Sequence, residues 1–572
     1  MRLRSSLIGA AMLVAATAAG VPLAGQALAA TPACQVDYAV GNSWAGGFQA
    51  GITITNNAAP LTSWTLAFQF ANGQTVANGW NGTFTQDGAQ VTVASQSYNG
   101  SLGTGGSATI GMVGTWIDSN SVPDYFTVNG TACNGALQRP TVSLTSPAPN
   151  TTVTSPATVQ LAANAASTSG GSITRVEFYD GTTLVGTDTT APYAASLAGV
   201  APGVHMYTAK AYDSDTATAT TVPAAGVFVH KPGRNGAPAL HVSGNKLVDA
   251  AGNAVVLHGV NRSGAEFQCV HGYGIFDGPV TTASVLAIAS WNVTAVRVPL
   301  NEDCWLGLSN VQSQYAGTAY QTAIGNYVAL LHQYDINVIL DLHWSDGVYS
   351  GPASACTDAT AACQKPMPDA ANAVPFWKSV AAAFKGDNAT LFDLFNEAYP
   401  DAAANWAATP SWTCWRDGGS CTGIGYPVAG MQTLVNAVRA TGATNPIMLG
   451  GLRWANDMTQ WLQFKPADPT GNLVASWHSY NFNACIAVSC WDSQIAPVAA
   501  SVPLLTGEIG ENECGHSYID SLMGWADSHS IGYLGWTWNT WSCATGSVLI
   551  TSYDGTPTTF GIGLRDHLRA LG

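Results

Sequence analysis

The chain has 572 residues, of which 47% are hydrophobic and only 9% charged, with 61 Gly, 19 Trp and a formal net charge of −15. The length exceeds what one hydrophobic core supports, so two or three domains are expected, and the composition excludes a disordered or coiled-coil protein. The negative charge, with no basic run beyond the first residues, argues against nucleic acid or anionic membrane as a partner, and a neutral ligand fits better.

The first 30 residues have the order of a secretory signal. Arg2 and Arg4 precede an alanine-rich apolar stretch to about Gly25, and small residues follow. We predict cleavage near Ala29 or Ala30 and release of the mature protein outside the cell. No later segment has about twenty uninterrupted apolar residues, so no membrane span is predicted.

In that compartment the 12 cysteines, an even number, are expected to form disulfides rather than metal sites. No convincing set of Cys or His pairs has zinc-ligand spacing, so we predict no metal ligand and no cofactor. Spacing alone leaves the connectivity open. Close pairs that would each close a small loop are Cys356 with Cys363, Cys414 with Cys421 and Cys485 with Cys490.

Residues 31–135 alternate short strand-type runs with Gly, Asn and Ser turns, which predicts an antiparallel β-sandwich. Cys34 and Cys133 stand at its two ends. A disulfide between them would close a loop of about a hundred residues and contribute up to roughly 4 to 5 kcal/mol in the chain-entropy model. Trp64 lies within an apolar alternation and is expected in the core, whereas Trp44 and Trp80 lie beside turn residues and are expected at the surface.

This block resembles carbohydrate-binding module family 2 over nearly its full length. The segments that carry the resemblance are Cys34 to Tyr38, Asn42-Ser43-Trp44, Ile52 to Asn56, Trp80-Asn81-Gly82, Tyr98-Asn99-Gly100 and Cys133. The resemblance implies that Trp44, Trp80 and Tyr98 form a platform that stacks on successive glucose units of cellulose. A flat exposed ring covers the apolar face of a sugar at little entropic cost. The third position is usually tryptophan in this family, so Tyr98 implies weaker binding.

A second series of strand-type runs extends over residues 138–230 and predicts another β-sandwich. It resembles the immunoglobulin-like modules of secreted bacterial polysaccharide enzymes. We find no chemical constellation in it and predict a spacer. Residues 231–238 contain Gly and Pro and predict a short linker.

From residue 239 to 572 apolar runs alternate with stretches of helical periodicity. Eight runs spaced for intervening helices predict a (β/α)8 TIM barrel. Two of these runs lead directly into glutamates, Glu397 and Glu508, although the chain has only seven glutamates. A buried carboxylate costs several kcal/mol without compensation, which suggests a catalytic role. The runs are Val255 to Val260, Val293 to Val298, Ile336 to Leu342, Leu391 to Phe395, Ile447 to Leu452, Leu473 to Trp477, Val502 to Thr506 and Ile531 to Trp538.

The active site of such a barrel gathers at the C-terminal ends of the strands. Polar and aromatic residues are concentrated there, and several segments resemble glycoside hydrolase family 5, a retaining barrel family. The matching segments are Arg297-Val298-Pro299, Asp341 to Trp344, Phe395-Asn396-Glu397, Trp477 to Tyr480, Thr506-Gly507-Glu508 and Trp536 to Asn539. The resemblance implies that Glu397 is the acid/base and Glu508 the nucleophile. It also implies substrate-binding roles for Arg297, His343, Asn396, His478, Tyr480 and Trp538. We predict the same role for His258 and Trp344, because they lie at the ends of predicted strands.

A retaining enzyme needs its two carboxyl groups about 5 to 5.5 Å apart. We expect repulsion between them to raise the pKa of Glu397, and Arg297 and Tyr480 to keep Glu508 ionised. Glu266, Glu302, Glu511 and Glu513 are expected in solvated or rim positions.

The leading hypothesis is a secreted, monomeric endo-β-1,4-glucanase that hydrolyses internal bonds of cellulose with retention. The alternatives are a retaining hydrolase of mannan, xyloglucan or β-1,3-glucan, and a non-catalytic glucan-binding protein. The last would be favoured if either strand-end glutamate were missing, and both are present. A serine hydrolase is not favoured, because the chain has no Gly-x-Ser-x-Gly elbow.

Overall fold

A computed structural model describes residues 32–571 except 45, 71–72, 117–119, 124, 135–138, 169–170, 215–216 and 545. The chain divides into two compact units. The first comprises the described residues up to Thr141 with 166–173 and 212–218, and the second comprises the rest. The predicted signal peptide lies outside the described residues. No helix of the described residues is long and apolar enough to cross a membrane.

The first unit contains an antiparallel β-sandwich, as predicted for this block. Its strands alternate buried apolar and exposed polar side chains, the pattern that places one face of each strand in the core. The strands are β1 (Cys34–Trp44), β2 (Gly47–Asn56), β3 (Thr65–Gln69), β4 (Thr75–Trp80), β5 (Gly82–Asp87), β6 (Gln90–Ser95), β7 (Ser107–Thr115), β8 (Phe126–Val128) and β9 (Thr131–Ala132).

One sheet has the strand order β1-β2-β7-β4 and the other β5-β6-β3-β8-β9. Trp64 is buried between them, and its indole Nε1–H donates to the carbonyl of Asn99 at 2.8 Å, so its predicted place in the core is confirmed. The predicted disulfide between Cys34 and Cys133 is present and joins the start of the first strand to the residue after the last.

The immunoglobulin-like block also folds as a β-sandwich. A three-stranded sheet has the order β10-β12-β15, and the other sheet has the order β11-β18-β16-β13-β14 with β17 beside β16. The strands are β10 (Thr141–Ser146), β11 (Thr151–Thr154), β12 (Ala157–Ala166), β13 (Ile173–Asp180), β14 (Thr183–Asp188), β15 (Tyr193–Val200), β16 (Gly203–Asp213), β17 (Thr218–Thr220) and β18 (Ala225–His230).

The last strand of this sandwich and the segment predicted as a linker both contact the barrel within the second unit. The imidazole Nδ1 of His230 lies 2.9 Å from a carboxylate oxygen of Asp335, and the rings of Phe228 and Tyr334 meet edge to face. In the segment 231–238, the amide of Ala237 donates to the carbonyl of His332. The segment is therefore bonded to the barrel rather than acting as a free tether.

The predicted (β/α)8 barrel is present. Its closed parallel sheet has the order β21-β22-β23-β24-β27-β28-β29-β30. The strands of this block are β19 (Leu240–Ser243), β20 (Lys246–Asp249), β21 (His258–Asn261), β22 (Ala295–Asn301), β23 (Asn337–Trp344), β24 (Thr390–Asp393), β25 (Gly418–Gly419), β26 (Val428–Ala429), β27 (Ile447–Gly450), β28 (Leu473–Tyr480), β29 (Leu504–Gly510), β30 (Gly532–Gly535), β31 (Ile550–Ser552) and β32 (Thr556–Pro557).

The helices surround the barrel with one apolar face inward. In α3, Tyr320, Ile324, Val328 and Leu331 are buried at helical spacing against the sheet. The α-helices are α1 (Thr282–Ala289), α2 (Glu302–Leu306), α3 (Thr318–Gln333), α4 (Ala373–Phe384), α5 (Pro400–Ala403), α6 (Ala408–Asp417), α7 (Met431–Arg439), α8 (Leu452–Ala455), α9 (Trp461–Phe464), α10 (Val488–Cys490), α11 (Ala496–Ala499), α12 (Ser517–Ser528) and α13 (Thr559–Ala570), with short turns of other helix types at Ser313–Tyr315 and Trp491–Ile495.

An apolar layer fills the N-terminal part of the barrel interior. Successive strands contribute one side chain each, among them Ala295, Ile339, Leu391 and Val474. Because strand side chains alternate with a period of two, the residues two positions further along face the same interior one layer higher. Those residues are polar: Arg297, Asp341, Asp393 and Ser476.

One strand boundary differs from the sequence-based expectation. The run predicted as Val255 to Val260 forms a strand only from His258 onwards, because the amide of Val255 donates instead to the carbonyl of Leu247 in the β19–β20 hairpin. His258 therefore begins a barrel strand rather than ending one, and this removes it from the mouth of the barrel.

The Cys34–Cys133 disulfide closes a loop of 99 residues, and loss of this constraint enlarges the unfolded ensemble of the binding module. We expect the double substitution of both cysteines by Ser to destabilise that module by up to about 4.7 kcal/mol. Denaturant unfolding and calorimetry would both measure this loss in the free energy of unfolding. Replacement of Cys356 and Cys363, which close a loop of only 7 residues, is the control and should leave the transition of the binding module unchanged.

Candidate active site

A cavity of about 820 Å³ opens at the C-terminal ends of the barrel strands. It contains both glutamates that were predicted from the strand ends. The side chains that line it include His343, Gln364, Asn396, Glu397, Trp406, Trp454, Tyr480, Phe482, Glu508 and Trp536.

The two glutamates come from different strands and meet in this cavity. Glu397 follows β24, and Glu508 lies inside β29 at an irregularity of its pairing with both neighbouring strands, between Thr506 and Ile509. An extra residue at such a bulge re-aims the next side chain, and here it directs Glu508 inward. Single ligand atoms of Glu397, His478 and Glu508 lie within 4.8 Å of one another.

Glu508 is held by two strong donors. The guanidinium Nη1 of Arg297 donates to its Oε1 at 2.9 Å, and the hydroxyl of Tyr480 donates to its Oε2 at 2.5 Å. The carboxylate is nearly fully buried. Charge-assisted hydrogen bonds of this kind favour the ionised form of a carboxylate.

Arg297 is the centre of a buried network below the cavity. Its Nε lies 3.0 Å from Asp393 Oδ2, its Nη2 lies 3.0 Å from Asp341 Oδ1, and Nη2 also donates to Asn396 Oδ1 at 2.9 Å. Burial raises the pKa of both aspartates, and the charge of Arg297 opposes that rise. Arg297 does not line the cavity, so the substrate-binding role predicted for it is replaced by positioning of Glu508 and Asn396.

His343 and Asn396 form a pair at the cavity wall. Burial lowers the pKa of His343 to about 4, which leaves the imidazole neutral. Its Nδ1 lies 2.6 Å from Asp341 Oδ2, so Nδ1 carries the proton, and Nε2 accepts from the Asn396 amide at 3.3 Å. The amide nitrogen of Asn396 is thereby turned into the cavity with one remaining hydrogen.

His478 lies between the two glutamates. Burial lowers its pKa to about 3, so the imidazole is neutral. Its Nδ1 lies 3.0 Å from Glu397 Oε1 and 3.7 Å from Glu508 Oε2, so this nitrogen is the donor. A Cβ atom at Gly507 would lie 2.7 Å from Nε2 of this ring, which explains why glycine precedes Glu508.

The pKa of Glu397 is raised, and the main cause is its burial. Repulsion by Glu508, which the sequence leads us to expect, is not among the main causes of this rise. Gln364 opposes the rise, because its Nε2 donates to Glu397 Oε2 at 3.1 Å. This glutamine lies in a loop and was not identified from the sequence.

Besides Arg297 and His478, three predicted binding residues do not line the cavity. Trp538 is fully buried and packs edge to face on Trp291, because the chain turns between it and Trp536. Trp536 takes its place, with its ring stacked on that of His343 at 5.5 Å. His258 contacts Asp527 and Tyr533 from the start of its strand. Trp344 is at its strand end but packs against Phe267 and His271.

Aromatic side chains extend the cavity walls beyond the two glutamates. Trp454 stacks on Tyr399, and Trp406 lies beside it, half exposed. Phe482 stacks on Tyr480 at 5.2 Å and is also exposed. These loop residues lie outside the strand-end pattern, so sequence reasoning did not select Trp406 or Phe482.

Three of the remaining glutamates are buried, contrary to the expectation of solvated positions. Glu266 accepts from the amide of Gly264 at 2.7 Å. Glu511 accepts from the amides of Tyr518 and Ile519 in the first turn of α12. Glu302 is also fully buried. Backbone amides donate to all three carboxylates, since Glu302 accepts from the amide of Asp346, and such donors offset part of the cost of burial.

In the binding module all three predicted platform residues are exposed, Trp44 at 50%, Trp80 at 38% and Tyr98 at 71%. The two indole rings lie over glycines of the neighbouring strands. A Cβ atom at Gly47 or at Gly111 would lie 2.3 Å from the ring of Trp44 or Trp80 respectively. Glycine at these positions lets each ring lie flat on the sheet surface.

Two groups of side chains in the described residues have the geometry to hold a cation. One is the set of Glu397, His478 and Glu508, and the other is Glu302, Asp303 and Asp346. The donors already present at Glu508, an arginine and a tyrosine, account for the first group without an ion.

The site is a closed parallel barrel with two glutamates close together at its mouth. Three family models match the chain: Cellulose binding domain over residues 34–133, Bacterial Ig domain over 140–209, and Cellulase (glycosyl hydrolase family 5) over 248–542, which is just over half of the chain. The chain belongs to glycosyl hydrolase family 5.

The chain is 42% identical over 135 residues to Endoglucanase CelA of Streptomyces lividans, covering 22% of this chain and 29% of that protein. It is 24% identical over 311 residues to a mannan endo-1,4-beta-mannosidase of the same organism, covering 52% of this chain and 66% of that one. The chain thus spans less than a third of the length of the first endoglucanase relative. A solved β-glucanase of Saccharophagus degradans matches with a TM-score of 0.45 at 17% identity, covering 59% and 94% of the two chains.

The hydrogen bond from Gln364 stabilises the ionised form of Glu397, so its removal should raise the pKa of this carboxyl further. We expect Gln364→Ala to move the alkaline limb of the pH profile of kcat/KM to higher pH, because the acid stays protonated longer. Asn512→Ala changes the same cavity wall without touching either glutamate and should leave the limb in place. A limb that does not move in the Gln364 variant would contradict this assignment.

Proposed function

We propose that the protein is a secreted endo-β-1,4-glucanase that cleaves internal bonds of cellulose by double displacement. The observation that carries the proposal is the pair of opposed glutamates with different surroundings. Glu508 is bonded to a guanidinium and a phenol, whereas burial raises the pKa of Glu397. Two carboxyl groups at this separation fit the retaining rather than the inverting geometry.

In the first step Glu508 attacks the anomeric carbon while Glu397 transfers its proton to the departing glycosidic oxygen. One C–O bond forms to Glu508 and one breaks to the leaving sugar. Burial raises the pKa of Glu397, which favours the protonated form that this step needs, and the neutral neighbour His478 orients the carboxyl group through Nδ1.

In the second step Glu397, now ionised, takes a proton from water, and the oxygen of that water attacks the glycosyl carbon. The bond to Glu508 breaks, and the carboxylate returns to its place against Arg297 and Tyr480. Because each step inverts the anomeric centre, the product retains the configuration of the substrate.

Asn396 and Trp536 are proposed to hold the reacting sugar. The free amide hydrogen of Asn396 is suited to bond the 2-hydroxyl, where hydrogen bonds strengthen as the oxocarbenium-like transition state forms. The ring of Trp536 lines the same cavity, stacked on His343, and offers a flat apolar surface to the sugar.

Cellulose is favoured as substrate by the cellulose-binding-domain match and its exposed aromatic platform. Endoglucanases are among the relatives. Half-exposed Trp406 and Phe482 extend the cavity along a chain, which suits internal attack. Release from the cell is proposed from the leader-like first 30 residues and the six disulfides, and a monomer is proposed as the active form.

A second candidate is hydrolysis of mannan, because the mannosidase relative matches over more of this chain than the endoglucanase relative does. Parallel assays on carboxymethyl cellulose, mannan and xyloglucan would distinguish the two. Viscosity followed against reducing ends tests internal attack, and proton NMR of the first product tests retention. Negligible release from the cellulose derivative would overturn the substrate proposed first.

Glu508→Gln should lower kcat on a soluble cellulose derivative by at least about 10³-fold, because the nucleophile is lost. Glu397→Gln should lose much less activity on an aryl cellobioside than on the cellulose derivative, because the aryl leaving group needs no proton. Glu513→Gln replaces an exposed glutamate in the loop after Glu508 and should retain full turnover. Equal loss in the Glu397 variant with both substrates would contradict its role as the acid.

Trp80→Ala should lower retention on insoluble cellulose by roughly 10-fold or more. The contact between a sugar face and an indole ring buries a large apolar area and contributes about 1–3 kcal/mol. Turnover of soluble substrate should not change. Thr85→Ala alters an exposed residue of the opposite sheet and is the control for binding. Unchanged retention in the Trp80 variant would remove this ring from the platform.

A further inference from the structure

Four acidic side chains come together beside the candidate active site. Glu302 and Asp303 follow barrel strand β22 directly, Asp346 lies two residues after strand β23, and Asp369 lies in the same loop before α4. Glu302 and Asp303 are fully buried and Asp369 is nearly so. Ligand atoms of Glu302, Asp303 and Asp346 lie within 4.8 Å of one another.

One oxygen of each carboxyl group is fixed by protein donors. These bonds come from backbone and asparagine amides, which define how each group is turned. The amide of Asp346 donates to Glu302 Oε2 at 2.9 Å, Asn310 and Ala361 donate to Asp303 Oδ2, Asn372 donates through its side chain to Asp346 Oδ2 at 2.7 Å, and Ala371 and Asn372 donate through their backbone to Asp369 Oδ1 at 2.8 Å.

The second oxygen of each group has no such donor. Glu302 Oε1, Asp303 Oδ1, Asp346 Oδ1 and Asp369 Oδ2 are buried and accept no hydrogen bond from an N–H group of the described residues. They face other carboxyl groups of the cluster, because Glu302 is within hydrogen-bonding reach of Asp369 and Asp346 is within reach of Asp303. Lys365 is close to this group, but its ammonium donates to the carbonyl of Asp358 and to Cys363 Sγ. Buried carboxylate oxygens without a donor are destabilising unless the groups share protons or a positive charge lies among them.

We propose that Glu302, Asp303, Asp346 and Asp369 bind a calcium ion. The donor set is entirely oxygen and carries up to four negative charges, which suits a hard divalent cation and not a metal that prefers sulfur or imidazole. Ca²⁺ accepts irregular coordination by several carboxylates, whereas Mg²⁺ demands near-ideal octahedral geometry and keeps its waters. The sequence analysis considered only cysteine and histidine spacing and left a structural metal open, because that spacing cannot detect a group of carboxylates.

The location gives the ion a defined task. Asp346 and Asp369 stand near the two ends of one loop, and Glu302 and Asp303 belong to the barrel frame. Gln364, which donates to Glu397, lies in that loop between them. A bound ion would tie both ends of the loop to the barrel and thereby hold Gln364 against the acid.

The test uses the full-length protein, freed of metal with EGTA and desalted. Equilibrium dialysis with ⁴⁵Ca²⁺ should give about one ion per chain. Calorimetry at neutral pH should show the barrel transition rising by roughly 5–10 °C when Ca²⁺ is near a hundredfold over Kd, and rising less with Mg²⁺. The same Tm in EGTA and in Ca²⁺, together with no bound ⁴⁵Ca²⁺, would overturn the proposal. Protons shared between the carboxyl groups would then explain how they tolerate burial.

Variants locate the ion. Asp303→Asn and Asp346→Asn should each weaken Ca²⁺ binding by at least about 10-fold. Asp346 is only half-buried, so its variant tests the site even if the Asp303 variant does not fold. Asp358→Asn, an exposed acid of the same loop, should bind normally. Glu508→Gln should also bind normally. Loss of binding in the Glu508 variant, or normal binding in the Asp346 variant, would place the ion elsewhere and contradict this site.

Discussion

The buried guanidinium of Arg297 is the interaction on which the mouth of the barrel depends. It contacts Glu508, Asp341, Asp393 and Asn396, so one side chain orients groups from three strands, β23, β24 and β29. Removal of one partner from a buried ionic network leaves uncompensated charge and is strongly destabilising. The network therefore has to form as a whole, and the geometry above it follows from its completion.

This arrangement separates the properties of two chemically identical side chains. Glu508 accepts a hydrogen bond from the guanidinium of Arg297. Glu397 does not contact this guanidinium and lies next to the neutral imidazole of His478 and the amide of Gln364. Burial raises the pKa of Glu397, whereas Glu508 accepts hydrogen bonds from Arg297 and Tyr480. Differences in desolvation and donors, rather than mutual repulsion, distinguish the two carboxyl groups.

Much of this fold could be predicted from the sequence, because the barrel strands are continuous apolar runs and period-two alternation marks the sandwiches. The two glutamates could be predicted for the same reason, since each ends such a run. Trp536 and Trp538 could not be told apart, because both are tryptophans near a strand end and only the turn between them decides which ring faces the cavity. His258 was misplaced because a local hairpin pairs with the residues before it. Gln364 and Trp406 lie in loops, where no periodicity connects sequence to position.

The same physical requirement, compensation of buried carboxylates, is met in two ways at this end of the barrel. Inside the barrel an arginine on β22 supplies the charge, and it can do so because its two-residue spacing from Ala295 places it one layer above the apolar core. The loop side chains Asp346 and Asp369 have no arginine within their network, and Lys365 donates elsewhere. A charge built into the chain gives the site a fixed geometry, whereas a charge supplied from solution would make the order of the loop depend on the ion. Since that loop carries Gln364, the proton affinity of Glu397 would then depend on two separate sources of positive charge, one permanent and one exchangeable.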